Sequence, residues 1–446
     1  MNKPMDSADF VAAGGVLSVD DAVDVDRDYN PKWRDELLMT TNKDGDTYPK
    51  SVVANVITML RNHEDWRGVM AFNAMTEEIE YHRRPPWHDD DAPTWEDDTW
   101  EVEPFAEEDV TRTQAWMQRF EGINPTKAAC GDAAVIVAKA SSYHPIRDYL
   151  DGLCWDGVRR VDKWLARYCG CADNDYSRAV GRWWMISAVA RAMCPGCKVD
   201  HMLVLEGPQG LQKSTLIESL CHDPAWFSDT DPDIGSKDAF QSVQGIWIQE
   251  LSEVDGIVAR KEYTAMKAFV SKKNDRYRPP YGRVPVRVQR MIVFIGTANR
   301  DDYLRDPTGN RRYWPARCAL ADIEAIVRDR DQLWAEALHL YRCGEKWYPT
   351  TDPEKLMCEV EQGARQRVDD RVYHIVEWLD KIKRPDEPVT VLGIIEGAFK
   401  IETAKDQTKR LQGEVADMLR QLGYVRSPTR VSYEGKRLRP YVKEGE

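Results

Sequence analysis

The sequence predicts an α/β protein. It expects a core of buried, mostly parallel strands, a helical region before it, and a small domain of helices plus a hairpin after it. Three observations carry that prediction. Largely apolar runs recur at 202–205 (MLVL), 245–251 (GIWIQEL) and 291–295 (MIVFI), which suits strands covered on both faces. The first of them runs directly into a glycine-containing turn and then a helix-forming stretch. From residue 369 the spacing changes to three amphipathic helices and a turn-rich, basic end.

The 446 residues leave room for two to four domains. No apolar run approaches the ~18 residues of a membrane span and no secretory apolar region opens the chain, so a cytoplasmic protein with no membrane partner is expected. Ten scattered cysteines suit a reducing compartment. Cys169, Cys171, Cys194 and Cys197 invite a zinc site, but neither pair has a helpful histidine and the usual spacing of two CxxC pairs is absent. The net charge of −13 is mainly local. Residues 77–110 hold 14 acids against Arg83 and Arg84, and the rest of the chain is close to neutral with basic islands. The overall acidity therefore does not exclude nucleic acid.

In chain order, residues 1–30 are polar and acidic and read as disordered. Residues 31–110 read as a small N-terminal domain with a helix around Val52–Leu60 and a long acidic loop carrying Trp87, Trp95 and Trp100. That loop is either solvated or a docking arm. Residues 111–201 read as a helical collar that ends in a strongly apolar helix at 176–193.

Residues 202–350 hold the core. Strand 202–205 is followed by Gly207, Pro208, Gln209, Gly210, Leu211 and Gln212, and then by Lys213, Ser214 and Thr215 at the start of a helix. This is the order of a phosphate-binding P-loop: backbone amides surround the phosphates, Lys213 reaches the terminal ones, and Ser214 ligates Mg²⁺. Gln212 stands where the pattern asks for glycine. A plain strand, turn and helix with a chance lysine is the alternative.

The strand at 245–251 ends in Glu250, with Glu253 beyond, the carboxylates expected to hold Mg²⁺ and activate water. The usual Asp-Glu pair is Gln249-Glu250. Residues 267–290 carry eight bases against Asp275, with Tyr277 and Tyr281 interleaved. Such a hairpin tracks single-stranded DNA through phosphates and stacked bases, with Lys267, Lys272, Lys273, Arg276, Arg278, Tyr281 and Arg283 as its contacts, unless it is an ordinary basic surface. Asn299 follows the next strand and is placed to sense the terminal phosphate. Arg311 and Arg312 come after a glycine turn, where a ring ATPase carries its arginine finger. Residues 369–446 read as three helices and a hairpin, a winged-helix-like domain. Its basic residues, Arg430, Lys436 and Arg437 among them, are expected to meet duplex DNA.

From His144 to about Trp347 the chain resembles the virulence-associated protein E family of phages and mobile islands. The strings that carry the likeness are HPIRDYLDGLCWDGVRRVDKWL, PGCKVDHMLVLEGPQGLQKST, WIQELSE, DRYRPPYGR and GTANRDDYLRDPTGNRRYWP. That family is similar to superfamily 3 helicases, AAA+ P-loop ATPases of replication. The resemblance implies Lys213 and Ser214 as the Walker A pair, Glu250 as the Walker B acid, Asn299 as the motif C residue and Arg311 or Arg312 as the finger. It also implies ATP and Mg²⁺ as cofactors, a homo-hexameric ring with DNA in its channel, and priming by a separate primase or host replication protein. Two other functions fit the sequence. One is a DNA-binding initiation or regulatory factor with a weak nucleotide switch, favoured by Gln212 and Gln249. The other is an interference protein that docks on a host replication enzyme.

Overall fold

The computed structural model describes residues 30–87, 100–234, 239–254, 260–277, 286–304, 310–366, 371–382, 387–403, 406–433 and 435–444. The expected disordered N-terminus, Trp95, and Arg278, Tyr281 and Arg283 at the hairpin tip lie outside these residues. The chain forms two compact units, one of residues up to 303 together with 308–364, the other of 304–307 together with 365–446.

The first unit opens with a small hairpin of β1 (Met39–Thr41) and β2 (Thr47–Pro49). A four-stranded sheet follows, made of β3 (Met70–Asn73), β4 (Glu78–Tyr81), β5 (Glu103–Pro104) and β6 (Ser142–Tyr143) in the order β5-β4-β3-β6. Helices Val53–Asn62, Glu107–Phe120 and Lys127–Ala140 share one apolar core with it, built on Trp33, Leu60, Trp66, Trp116 and Ala133. The core thus groups residues otherwise than the expected break at 110. Helices 107–120 and 127–140 bury their apolar faces with the N-terminal strands, whereas 146–192 pack with the central sheet. Part of the acidic segment is anchored too: Trp87 stacks edge-on to Trp66 and the Trp100 indole donates to the Tyr81 carbonyl.

The central sheet has five strands: β7 (Met202–Glu206), β8 (Phe227–Ser228), β9 (Ile248–Leu251), β12 (Val293–Ala298) and β13 (Tyr313–Arg317). Between them lies a separate antiparallel hairpin of β10 (Asn274–Tyr277) and β11 (Val286–Gln289). The sheet order is β13-β7-β12-β9-β8, with every pair parallel. Strands β7, β9 and β12 are buried at every residue, including the polar Glu206, Gln249, Glu250 and Thr297 toward their carboxyl ends. Helix Asp175–Met193 lies against the sheet. It is capped by Asn174, whose side chain accepts from the Ser177 amide, and both members of its tryptophan pair are buried. Two of the buried indoles find carbonyls, Trp184 at Phe294 and Trp247 at Ala188, so the polar edge of these two does not oppose burial.

The second unit contains helices Arg371–Glu377, Val391–Gly397 and Lys409–Gln421, the first continuing as a wider turn over Trp378–Ile382. Two short ladders follow, β14 (Tyr424–Arg426) with β17 (Tyr441–Lys443) and β15 (Val431–Tyr433) with β16 (Lys436–Leu438). Its core is Val372, Ile375, Trp378, Ile394, Ile395, Val415 and Leu419.

Candidate active site

The site forms where β7, β12 and β9 end side by side. In an open parallel sheet the carboxyl ends of the strands are where ligands bind, because each strand there turns outward into a loop. Residues 207–212 leave the central-sheet strand β7. The start of this loop is fixed on both sides: the Gly207 amide donates to the Ala298 carbonyl and the Cys318 amide to the Glu206 carbonyl. Glu206 is itself buried and accepts a hydrogen bond from the Tyr303 hydroxyl at 3.0 Å. A Cβ on Gly207 would come within 3.0 Å of both the Cys318 carbonyl and the Leu211 side chain, so glycine is needed for close approach.

Lys213 begins the helix Lys213–Glu218 and is almost completely buried. Its amine donates to the carbonyls of Gly207 (2.7 Å) and Pro208 (3.1 Å), and to Asn299 Oδ1 at 3.3 Å. Asn299, just past β12, is exposed. On the β9 side, Ser214 Oγ donates to Glu250 Oε1 at 2.9 Å, and Thr297 Oγ1 donates to the same oxygen at 2.7 Å. Glu250 is fully buried, and its Oε2 has no hydrogen-bond partner among the described residues. Burial pushes its carboxyl above the ordinary carboxylate range, partly offset by the Thr297 and Ser214 hydroxyls, while nearby Asp229 and Asp231 add to the rise. Lys213, Ser214, Glu250 and Asn299 are thus brought together. Glu253 is not among them; it sits exposed in a left-handed turn at φ 48°.

Thr297, Asp229 and Asp231 were missed by sequence reasoning. Thr297 reaches Glu250 through strand pairing. Ile295 stands opposite Glu250 in the register, and the two-residue period puts Thr297 on that same face. The acids at 229 and 231 follow a two-residue strand too short to recognise.

Gln212 takes φ 60°, the left-handed conformation that the missing glycine adopts freely. A non-glycine residue there costs roughly 1 kcal/mol. Gln212→Gly is expected to stabilise the fold by up to about that amount. Thermal denaturation measures it, and a clear loss of stability would count against this loop geometry.

The arginines lie elsewhere. Tyr313 at the start of β13 pairs with Met202 at the start of β7. Arg311 and Arg312, just before Tyr313, therefore sit at the end of the sheet opposite the P-loop-like turn, roughly 13 Å away along the strand alone. Arg311 is exposed, whereas Arg312 is half-buried and donates to Ser271 Oγ at 2.9 Å.

The basic hairpin is anchored on one face and open on the other. Buried Asp275 pairs with buried Arg290, and Arg290 also donates to the Phe269 carbonyl. On the open face Arg276 and Arg287 stand directly opposite each other and both are exposed. Lys272 and Lys273 are exposed before β10, and Lys267 is half-buried on the helix Arg260–Val270. In the second unit Arg430 and Arg437 are exposed around β15 and β16; Lys436 belongs to β16. The four cysteines at 169, 171, 194 and 197 do not share an environment: the first two are buried, Cys197 is half-buried and Cys194 is exposed.

Residues 150–367 match the family described as the virulence-associated protein E-like domain, just under half of the chain. No curated protein matches. Among solved structures, the A form apo structure of the NrS-1 C-terminal region shares 13% identity at a TM-score of 0.45, covering 84% of this chain and 96% of that one. A second apo structure of the same region gives a TM-score of 0.41 at 13% identity, covering 84% of this chain and 95% of that one. No helix among the described residues is long and apolar enough to cross a membrane.

Proposed function

From the premise that the chain carries a virulence-associated protein E-like domain over residues 150–367, we propose that it is an ATP-dependent DNA translocase that unwinds DNA during replication of a phage or mobile element. The observation that supports this reading most is the convergence of Lys213, Ser214, Glu250 and Asn299 from three neighbouring strand ends. In this reading residues 202–350 are an AAA+ P-loop core, and the sheet order, with β7 and β12 adjacent at its centre, places the loop after β7 at the crevice where the chain changes direction.

Lys213 and the backbone N–H groups of residues 209–215 bind the ATP phosphates. The donors suit a divalent cation: the Ser214 hydroxyl and the buried, unpartnered Glu250 Oε2 are two oxygens beside where phosphates would lie, and Mg²⁺ is held by one or two protein groups plus phosphate oxygens. When bound, Mg²⁺ neutralises charge on the transferring phosphoryl group. Glu250 takes the proton of the attacking water, which its raised carboxyl favours, and Asn299 positions that water.

The DNA assignment rests on the hairpin. Two arginines directly opposed across a ladder repel each other, and an anionic backbone between them relieves that cost. Single-stranded DNA would run past this hairpin in the channel of a homo-hexamer, and the basic ladders of a winged-helix-like second unit would hold the duplex. On forked DNA with ATP, the wild type should displace the paired strand and Lys213→Ala should not. Absence of displacement by wild type at low salt would contradict the translocase reading.

A further inference from the structure

Gln249 occupies the place where a second acid is expected beside Glu250, and it is fully buried. Its Nε2 donates to the carbonyls of Ser228 and Thr230, each at 3.0 Å. Those two carbonyls bracket Asp229. Strand β8 runs parallel to β9 with Ser228 opposite Gln249, so residues 229–231 leave the sheet at the same end as Glu250. Asp231 is fastened from the other side as well: its Oδ1 accepts the Ser252 amide at 3.1 Å, two residues beyond Glu250. Asp229 and Asp231 are both exposed.

An acidic pair alone would not make a site. Here it leaves the sheet at the strand end that carries a second feature, the Glu250 Oε2 oxygen, which is buried and lacks a hydrogen-bond partner among the described residues. No three His, Cys, Asp or Glu side chains among the described residues are placed to hold a metal unaided. A cation here must take most of its ligands from phosphate and water, and Mg²⁺ does so. We propose that Asp231 is the second carboxylate of the nucleotide's divalent cation, acting on its bound water, and that Gln249 is a positioning residue that tethers the 228–231 segment to place it. The inference rests on the ATPase reading above.

The test uses the full chain, a non-hydrolysable ATP analogue and Mn²⁺, followed by the Mn²⁺ paramagnetic resonance signal. Asp231→Asn should weaken Mn²⁺ binding in the presence of the analogue by about tenfold or more, with analogue affinity in the absence of metal unchanged. Asp233→Asn, an exposed acid of the same loop, should change it less than about twofold. Gln249→Leu should also weaken Mn²⁺ binding, and the Gln249→Leu/Asp231→Asn double variant should be no weaker than Asp231→Asn alone, because one acts through the other. Wild-type Mn²⁺ affinity in Asp231→Asn, or an equal loss in Asp233→Asn, would overturn the proposal. If the wild type binds neither analogue nor Mn²⁺ with it, the nucleotide reading itself fails, a different and recognisable result.

Discussion

Glu250→Gln should lower ATP turnover by about 10²–10⁴-fold while leaving ATP binding in place. The substitution keeps the volume of the side chain and an oxygen that can accept from Ser214 and Thr297, so the packing at the ends of β9 and β12 survives. In the proposed mechanism it removes the group that accepts the proton. The same change should stabilise the fold. The Glu250 carboxyl is raised above its ordinary value of 4.5, chiefly by burial. Between that value and the raised one the folded state binds more protons than the unfolded state, so this group's contribution to stability falls as pH climbs through the window and stays low above it. Glutamine carries no such dependence. The melting temperature of Glu250→Gln should therefore exceed that of the wild type at pH 8, with the gap closing toward pH 4. A less stable, fully active variant would refute the assignment. An active-site acid kept at a cost to stability is a common bargain between function and folding.

Arg311→Ala should lose about 10³–10⁵-fold in turnover and still bind ATP. The reasoning is positional. The register of β13 against β7 puts Arg311 at the far end of the sheet from Lys213 of the same subunit, so it has no route to that subunit's phosphates. Arg311 is exposed at that end, and in the proposed ring it completes the site of a neighbouring copy. Mixing Arg311→Ala with Lys213→Ala subunits should then restore activity, because some interfaces would pair an intact loop with an intact arginine. Arg312 behaves otherwise. Its bond to Ser271 links it to the end of helix Arg260–Val270, just before the basic hairpin. If the two defective proteins fail to complement while each still assembles, the arginine does not act across an interface.

The central sheet was legible because strands buried on both faces read as largely apolar runs, and because a glycine turn before Lys-Ser is a local pattern. Glu250 and Asn299 were legible because each lies at or just past the carboxyl end of such a strand. What was not legible depends on pairing between distant segments. Strands β3 to β6 have four residues or fewer, and all but β3 carry few apolar ones; their pairing with one another is what organises 30–143. Nothing local says that Gln249 would hold the Ser228 and Thr230 carbonyls, or that Thr297 would share the Glu250 oxygen. Gln212 shows a further limit. The glycine rule reports a backbone requirement, and the left-handed φ found there meets that requirement with another residue.

The most direct measurement is ATP hydrolysis with and without single-stranded DNA at low salt, for the wild type and Lys213→Ala side by side. The account predicts hydrolysis by the wild type that DNA stimulates severalfold and that salt suppresses, with none above background for Lys213→Ala. Hydrolysis indifferent to DNA, or equal rates in the two proteins, would contradict it.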